Sequence, residues 1–156
     1  MFLSRFLKSP ATVKQLQKML EDWEYSTCKG SECYSQNDLK EAILYFENAL
    51  SCAKSGLSSH HKTPIFMQYY SLASMNLAHA LVANKDKKQS EKVLSDAHFN
   101  MLNLMLDKKQ SRSFRKEAKQ QAKLLLANLK KYLINIGKYQ VAESLEDEFF
   151  RLELIN

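Results

Sequence analysis

The chain has 156 residues, the length of one ordinary domain, and at 45% apolar and 26% charged residues it has the composition of a folded protein. Only three Gly and two Pro are present, which disfavours sandwiches, small barrels and propellers, because those architectures use both residues in many tight turns. The formal net charge is +6, from 23 Lys and Arg against 17 Asp and Glu. The composition therefore predicts a single all-α domain over residues 1–156.

The N-terminal segment is basic and amphipathic, but it lacks the continuous apolar core and the small-residue cleavage site of a secretory signal. Residues 1–18 are predicted to be a capping segment, with a lead-in helix and an artefact of start-site choice as open alternatives. An organelle-targeting peptide is the weaker alternative, which rests on the absence of acids in the segment. Ser9 and Pro10 predict a helix start, with Ser as the cap and Pro at the first helical position. Apolar residues at helical spacing then predict a first helix to about Tyr34.

The second helix is predicted to begin after a short polar turn at residues 35–37. Asp38 and Glu41 have the spacing of a capping box, in which each residue satisfies a free backbone N–H of the first helical turn. We expect this helix to end at Gly56, because glycine is the favoured residue just beyond a helix C-terminus. The polar stretch 57–62, which includes two adjacent histidines, is predicted to be a loop.

Thr63 and Pro64 repeat the combination of a cap and a proline and predict the start of a third helix. Apolar stripes at helical spacing predict four further helices, over about residues 64–84, 87–107, 114–136 and 138–154. The turns inside each pair of helices are only a few residues long, so paired helices must be antiparallel. The predicted fold is therefore all-α, with three antiparallel helical hairpins made from about six helices.

A repeated pattern begins in the segment 37–50, where a turn is followed by Ala42, by the aromatic Phe46 and then by an Ala-Leu pair. Gly30 lies seven residues before this turn, at a position where a small residue lets two helices cross closely. This pattern resembles the second half of a tetratricopeptide repeat, abbreviated TPR. The resemblance extends over nearly the whole chain in weaker form.

Two weaker copies of the pattern occupy residues 85–97 and 137–142. If Asn37, Lys85 and Gly137 are equivalent turns, the repeat spacing is 48 and then 52 residues, compared with about 34 in a standard TPR. Longer spacing implies longer helices and a looser superhelix. The chain therefore resembles a TPR-like protein, and the resemblance implies that its hairpins form a right-handed superhelix.

A TPR-like fold implies a concave groove lined by the first helix of each hairpin. The equivalent positions predict a partner-binding groove formed by Tyr34, Met75, His79, Val82, Lys131 and Asn135, with Thr27, Ser31 and Ile134 beside them. Only two of these residues have the chemistry of the TPR groove that clamps a C-terminal carboxylate, so we expect an amphipathic helix or an extended peptide instead. The alternative that the apolar members belong to the core stays open.

The positive charge is concentrated in residues 108–131, which contain nine basic residues and one acid and leave −2 for the rest of the chain. Four basic residues of this segment form a stripe opposite its apolar side: Arg112, Lys116, Lys119 and Lys123. One interpretation is an electrostatic site for a phosphate backbone or an acidic peptide. The other, which we favour because the stripe lacks stacking aromatics, is a solvated face partly neutralised by the acidic residues 143–154.

No catalytic constellation is visible, since the chain has no phosphate-binding glycine loop, nucleophile elbow or metalloprotease motif. The acidic cluster at 143–148 is more typical of a solvated helix face than of a paired-carboxylate site. Cys28, Cys33 and Cys52 are an odd set, which predicts reduced thiols and a cytoplasmic location. Because no second Cys or His pair follows at zinc-finger spacing, we expect no metal. No reacting group has a visible partner, so we expect no cofactor and no enzymatic activity.

These patterns together predict a non-enzymatic adaptor or scaffold that binds a peptide or helix of a partner protein. The chain is similar in this respect to small bacterial TPR-like proteins without assigned activity. Two alternatives stay open, a protein that binds nucleic acid or another polyanion through residues 108–131 and a small secretion-type chaperone. No apolar run is long enough to span a membrane, so no membrane partner is expected. Phe149 and Phe150 place apolar groups on more than one face of the last helix, which favours a homodimer through it.

Overall fold

The structure of the protein is a computed structural model that describes residues 10–58 and 63–156. Its six helices are α1 (Pro10–Ser35), α2 (Leu39–Ser58), α3 (Ile65–Ala83), α4 (Lys87–Leu106), α5 (Arg112–Asn135) and α6 (Tyr139–Leu154). The described residues contain no β-strand, so the predicted all-α fold with six helices is confirmed. The predicted cap at Ser9, the segment before it and the two adjacent histidines of the predicted loop lie outside the described residues.

Capping agrees with the sequence in part at α2 and departs from it at α3. The Glu41 N–H donates to the Asp38 carboxylate at 3.4 Å, which is one half of the predicted capping box, whereas the Asp38 N–H donates to the Cys33 carbonyl and not to Glu41. Thr63, in contrast, does not cap α3: Pro64 occupies the cap position with helical φ and ψ, and no side chain caps there. The helix still begins at Ile65, because Pro64 already holds a helical φ.

Each hairpin closes with the same turn, at the three residues whose equivalence the sequence predicts. Asn37, Lys85 and Gly137 have left-handed backbone conformations, with φ of 61°, 65° and 79°. In each turn the N–H of this residue donates to the carbonyl three residues earlier, and the next N–H donates to the carbonyl five residues earlier. This pair of hydrogen bonds is the Schellman motif, which satisfies the last carbonyls of a helix. The spacing of 48 and 52 residues is therefore a repeat of the fold itself.

Helices that are consecutive in the chain pack side by side, so the protein forms the hairpins α1/α2, α3/α4 and α5/α6. In addition, α3 contacts both α1 and α5, and the second helix of a hairpin packs against the first helix of the next. The first helices are thus neighbours across the array. Among the described helices, the backbone of α6 lies close only to that of α5, and Phe149 of α6 also packs beside His98 of α4. No described helix is both long enough and apolar enough to cross a membrane.

The central helix of the core is α3, which is buried on several faces. Its Tyr69 stacks on Trp23 of α1 with ring centroids 4.1 Å apart, and its Met67 is fully buried. The buried hydroxyls of Ser71 and Ser74 donate to carbonyls one turn earlier, so they cost the core no unsatisfied donor. The largest cluster of buried apolar residues has members on all six helices.

Two glycines mark close helix crossings. Gly30 of α1 faces the Phe46 ring, and a Cβ at position 30 would lie 2.6 Å from it, which agrees with the close crossing that the sequence predicts. Gly56, predicted to end α2, instead lies inside the helix, which continues to Ser58. That prediction was wrong because the glycine serves a tertiary contact: a Cβ at position 56 would overlap the Phe66 ring of α3.

Only a narrow face of α6 is covered. Val141 and Ile155, two apolar residues of the C-terminal segment, are exposed. Ala142 and Phe149 are buried. The helix packs mainly on α5, with Phe149 also beside His98 of α4, and so buries only a narrow face.

Candidate functional site

The three equivalent turns place residues of α1, α3 and α5 in register. Three residues before each left-handed turn residue stand Tyr34, Val82 and Ile134, with exposed fractions of 42%, 39% and 38%. Because α3 contacts both α1 and α5, these residues form a row across neighbouring helices. We refer to these three residues as the apolar row.

The other predicted groove residues divide between the surface and the core. His79 and Lys131 both stand six residues before their turns and are exposed, one helical turn from the apolar row. Asn135 is also exposed. Met75 is half-buried and packs against two clusters of the core. It is therefore in part a core residue and only in part a residue of the predicted groove surface.

The α5/α6 hairpin opens into a cleft of about 420 Å³. Its apolar lining comes from five residues: Leu126, Ala127, Ile134, Phe149 and Phe150. Lys131, Ile134 and Asn135 line this cleft, so the α5 part of the predicted groove faces it. The cleft is formed by the way α6 packs against α5. The helical pattern of either segment alone therefore does not show it.

An ion pair joins the two helices within this cleft. The Lys130 ammonium contacts the Glu146 carboxylate, and both residues are half-buried. The equivalent residues of the preceding hairpin, 52 positions earlier, are Ala78 and Leu94, which belong to an apolar cluster. The helical pattern of the sequence does not show this ion pair, although the repeat spacing places the two opposite charges at one helix crossing.

The predicted basic stripe of α5 consists of one paired lysine and three free basic residues. Lys119 forms an ion pair of 2.9 Å with Glu153 of α6. Arg112, Lys116 and Lys123 are exposed and have no ion pair within the part of the chain that the structure describes. The acidic face of α6 therefore neutralises α5 in part and leaves three positive charges facing solvent.

A buried histidine links α4 to α5. His98 is 1% exposed, and its Nδ1 lies 2.9 Å from the Ala122 carbonyl oxygen. Because a carbonyl only accepts hydrogen bonds, Nδ1 carries the proton. Burial lowers the pKa of His98 below its usual value, so the imidazole is neutral at pH 7. With the Phe149 ring also beside it, this histidine is part of the core.

The cysteines are all free thiols, with Cys28 exposed and Cys33 and Cys52 half-buried. Burial raises the pKa of Cys52, which keeps this thiol protonated and packed against the core as a small apolar group. Within residues 10–58 and 63–156, no three side chains of His, Cys, Asp or Glu are grouped in a way that could hold a metal ion.

The fold and these surfaces define an all-α protein of three consecutive helical hairpins. The chain belongs to the family described as protein of unknown function (DUF2753), whose family model matches residues 21–152. No curated protein and no solved structure matches the chain. The matched segment begins within α1 and includes all three Schellman turns, so the family model covers the hairpin array.

Proposed function

We propose that this protein is a non-enzymatic, TPR-like adaptor that binds a peptide or a helix of a partner protein on the apolar row. The observation that carries the proposal is the repetition of the row. Single exposed apolar residues occur on any protein surface. Tyr34, Val82 and Ile134 instead occupy one position of three neighbouring helices and are exposed to nearly the same extent. Exposed apolar residues that recur at one position of neighbouring helices are candidates for an interaction site.

The dimensions of the row suit a short segment of chain. Neighbouring helix axes are about 8–10 Å apart, so three helices give a row of roughly 16–20 Å. That length corresponds to about five or six residues of extended peptide, or to roughly three turns of helix. His79 and Lys131 stand one turn from the row and supply polar groups that can orient such a segment.

The proposed site is preorganised, which favours binding. The three Schellman turns and the shared core hold α1, α3 and α5 in place before a partner arrives. A rigid surface loses little conformational entropy on binding, so more of the contact energy appears as affinity. The neighbouring first helices and the small residues Gly30 and Ala78 at two crossings support the TPR-like description and, with it, the right-handed superhelix. Free thiols support a cytoplasmic location.

Capture experiments with single-residue variants test the proposed function. The immobilised protein is incubated with a lysate of its source cells, and the retained proteins are compared by mass spectrometry. Tyr34→Glu and Val82→Glu place a charge in the row and should abolish capture of the partner. Leu44→Glu is the matched control, because Leu44 is an exposed apolar residue of α2 outside the row. A partner that is retained equally by all four proteins would contradict the proposal.

Binding of nucleic acid or another polyanion is the second candidate, and one observation favours it: Arg112, Lys116 and Lys123 are exposed without an ion pair within the described residues. Binding of this kind weakens steeply with salt. For each phosphate contacted on duplex DNA, the logarithm of the association constant falls by about 0.9 when the salt concentration rises tenfold. Binding to the apolar row should change little over the same salt range. Lys116→Glu with Lys123→Glu should abolish capture only if the polyanion is the ligand.

A further inference from the structure

The cleft between α5 and α6 is equivalent to a groove that is filled by a helix elsewhere in the same protein. Residues that line the cleft stand 52 positions after residues of the α3/α4 groove: Ala127 after Met75, Glu146 after Leu94, and Phe150 after His98. The α3/α4 groove holds α5, whose Leu129 and Leu133 share an apolar cluster with Leu94. The open cleft therefore stands at the position where the preceding hairpin of the same protein holds a helix.

The exposed face of α6 also corresponds to a covered face. Phe150 is 53% exposed and Leu154 is 86% exposed. Their equivalents in α4 are His98 and Leu102, which are buried in the core. No other described helix lies over this side of α6. An apolar helix face of this kind is a candidate for contact with a further helix.

Complementary charges flank the cleft and the exposed face of α6. Lys123 and Lys131 line the cleft and are exposed. Glu143 and Asp147 lie on the surface of α6 that also contains Phe150 and Leu154, and both acids are exposed. None of these four charged side chains has an ion pair within the described part of the chain. One copy of the protein thus carries a cleft with a basic edge and a helix with an acidic edge.

We propose that the cleft of each copy is occupied by α6 of a second copy, in a dimer with twofold symmetry. In an isologous interface of this kind the same surface is used by both copies, so each α6 enters the cleft of the other and no site is left open. Phe150 lines both the cleft and the exposed face of α6, which places it within the interface.

The positions of the charges along the hairpin fit this arrangement. Lys131 and Lys123 stand six and fourteen residues before the Gly137 turn. Glu143 and Asp147 stand six and ten residues after the turn. At about 1.5 Å per residue, the lysines lie about 9 and 21 Å from the turn and the acids about 9 and 15 Å. An antiparallel α6 from a second copy therefore brings Asp147 towards Lys131 and Glu143 towards Lys123 when the twofold axis passes about 13 Å from the turn. The internal ion pair between the two helices leaves no unpaired charge beneath the incoming helix.

The oligomeric state of the full chain is the first test. Light scattering at protein concentrations on the order of 100 µM should show a dimer for the wild type and a monomer for Phe150→Asp. Leu44→Asp, which changes an exposed apolar residue of α2, is the matched control and should stay dimeric. A monomeric wild type, or a Phe150→Asp variant that remains as dimeric as the wild type, would overturn the proposal.

Charge exchange is the second test, because it asks which surfaces meet. Variant A carries Lys123→Glu and Lys131→Glu, and variant B carries Glu143→Lys and Asp147→Lys. Like charges then face each other in A–A and B–B pairs, so each variant alone should have a dimer Kd raised at least about tenfold. In an A–B pair both interfaces are complementary again, and an equimolar mixture should form a heterodimer.

Circular dichroism and thermal unfolding confirm that each variant is folded before the mixing experiment. Folded variants that stay monomeric when mixed would overturn the proposal, as would a variant that dimerises alone with the affinity of the wild type. Ile134 and Lys131 belong to both the cleft and the proposed partner site, so the two proposals are separated by Val82→Glu, which lies on α3 outside the cleft and should leave the dimer intact. The experiments therefore distinguish loss of partner capture with an intact dimer from loss of the dimer with intact partner capture.

Discussion

Lys130 and Glu146 form an ion pair at a helix crossing that the first hairpin builds from Gly30 and Phe46. A glycine beneath a ring lets two backbones approach closely, whereas two long charged side chains hold the helices further apart. The third hairpin accordingly packs less extensively between its two helices than the first does. The open α5/α6 cleft follows from this exchange of residues at one repeated position.

The first prediction concerns the coupling of this ion pair. Lys130→Ala or Glu146→Leu alone should lower the free energy of unfolding by about 0.2–1 kcal/mol, because one charge at a partly buried site loses its partner. Lys130→Ala combined with Glu146→Leu gives this crossing the residue types of the second hairpin. The free energy of unfolding of this double variant should equal that of the wild type or exceed it by up to about 1 kcal/mol. Urea unfolding of the four proteins measures the coupling, and strictly additive single effects would contradict it.

The second prediction concerns the turn at Lys85. An L-residue in the left-handed region is strained by about 1–2 kcal/mol, and glycine removes that strain. Lys85→Gly should therefore raise the free energy of unfolding by about 0.5–1 kcal/mol, after the entropy that glycine adds to the unfolded chain. Lys54→Gly, in the interior of α2, is the control and should lower it by a similar amount. A destabilised Lys85→Gly would contradict the turn assignment.

The third prediction tests the close contact between α2 and α3. Gly56→Ala improves helix propensity but overlaps the Phe66 ring, and overpacking of a core costs about 1–3 kcal/mol. The free energy of unfolding should therefore fall by about 1–2 kcal/mol. Phe66→Leu in the same chain should weaken this effect of Gly56→Ala by removing the ring. Ser55→Ala, at an exposed neighbouring position, should leave the stability nearly unchanged, and thermal unfolding compares the variants.

The fourth prediction follows from the buried imidazole of His98. Its folded-state pKa is lowered, so below the unfolded-state pKa of about 6.5 the unfolded chain binds more protons than the native protein. The stability contributed by neutral His98 is present above that pH and is lost as the pH falls below it.

Variants at two histidines measure this contribution. Between about pH 7 and 5, the free energy of unfolding of His98→Gln should fall less steeply than that of the wild type. Carboxylates that titrate in the same range are shared by both proteins and cancel in the comparison. His79→Gln changes an exposed histidine and should keep the slope of the wild type. Identical slopes for all three proteins would contradict the assignment.

The sequence predicts the helices well because local chemistry determines them. The turns at Asn37, Lys85 and Gly137 are visible as equivalent positions in a repeat, and all three have the same backbone geometry in the structure. Apolar periodicity places the remaining helix ends within a few residues. Gly56 shows where this reasoning fails, since a glycine that ends a helix and a glycine beneath a ring look alike in one sequence.

The surfaces are less predictable, because they depend on which helices meet. The exposure of Tyr34 and Val82 at equivalent positions agrees with the predicted groove, whereas Met75 packs largely against the core. The exposure of Val141 could not be read from the helical pattern of α6, because that pattern does not show which helices cover it. The α5/α6 cleft, likewise, is a property of two helices together.

The central claim is that the apolar row contacts a partner protein, and photo-crosslinking tests it most directly. A benzophenone amino acid is introduced in place of Val82 in one protein and in place of Lys116 in another, and both are irradiated in the source cells. We expect a covalent adduct to one partner protein from position 82 and none from position 116, and Tyr34→Glu should abolish the adduct. An adduct at position 116 with none at position 82 would contradict the account and support the basic stripe instead.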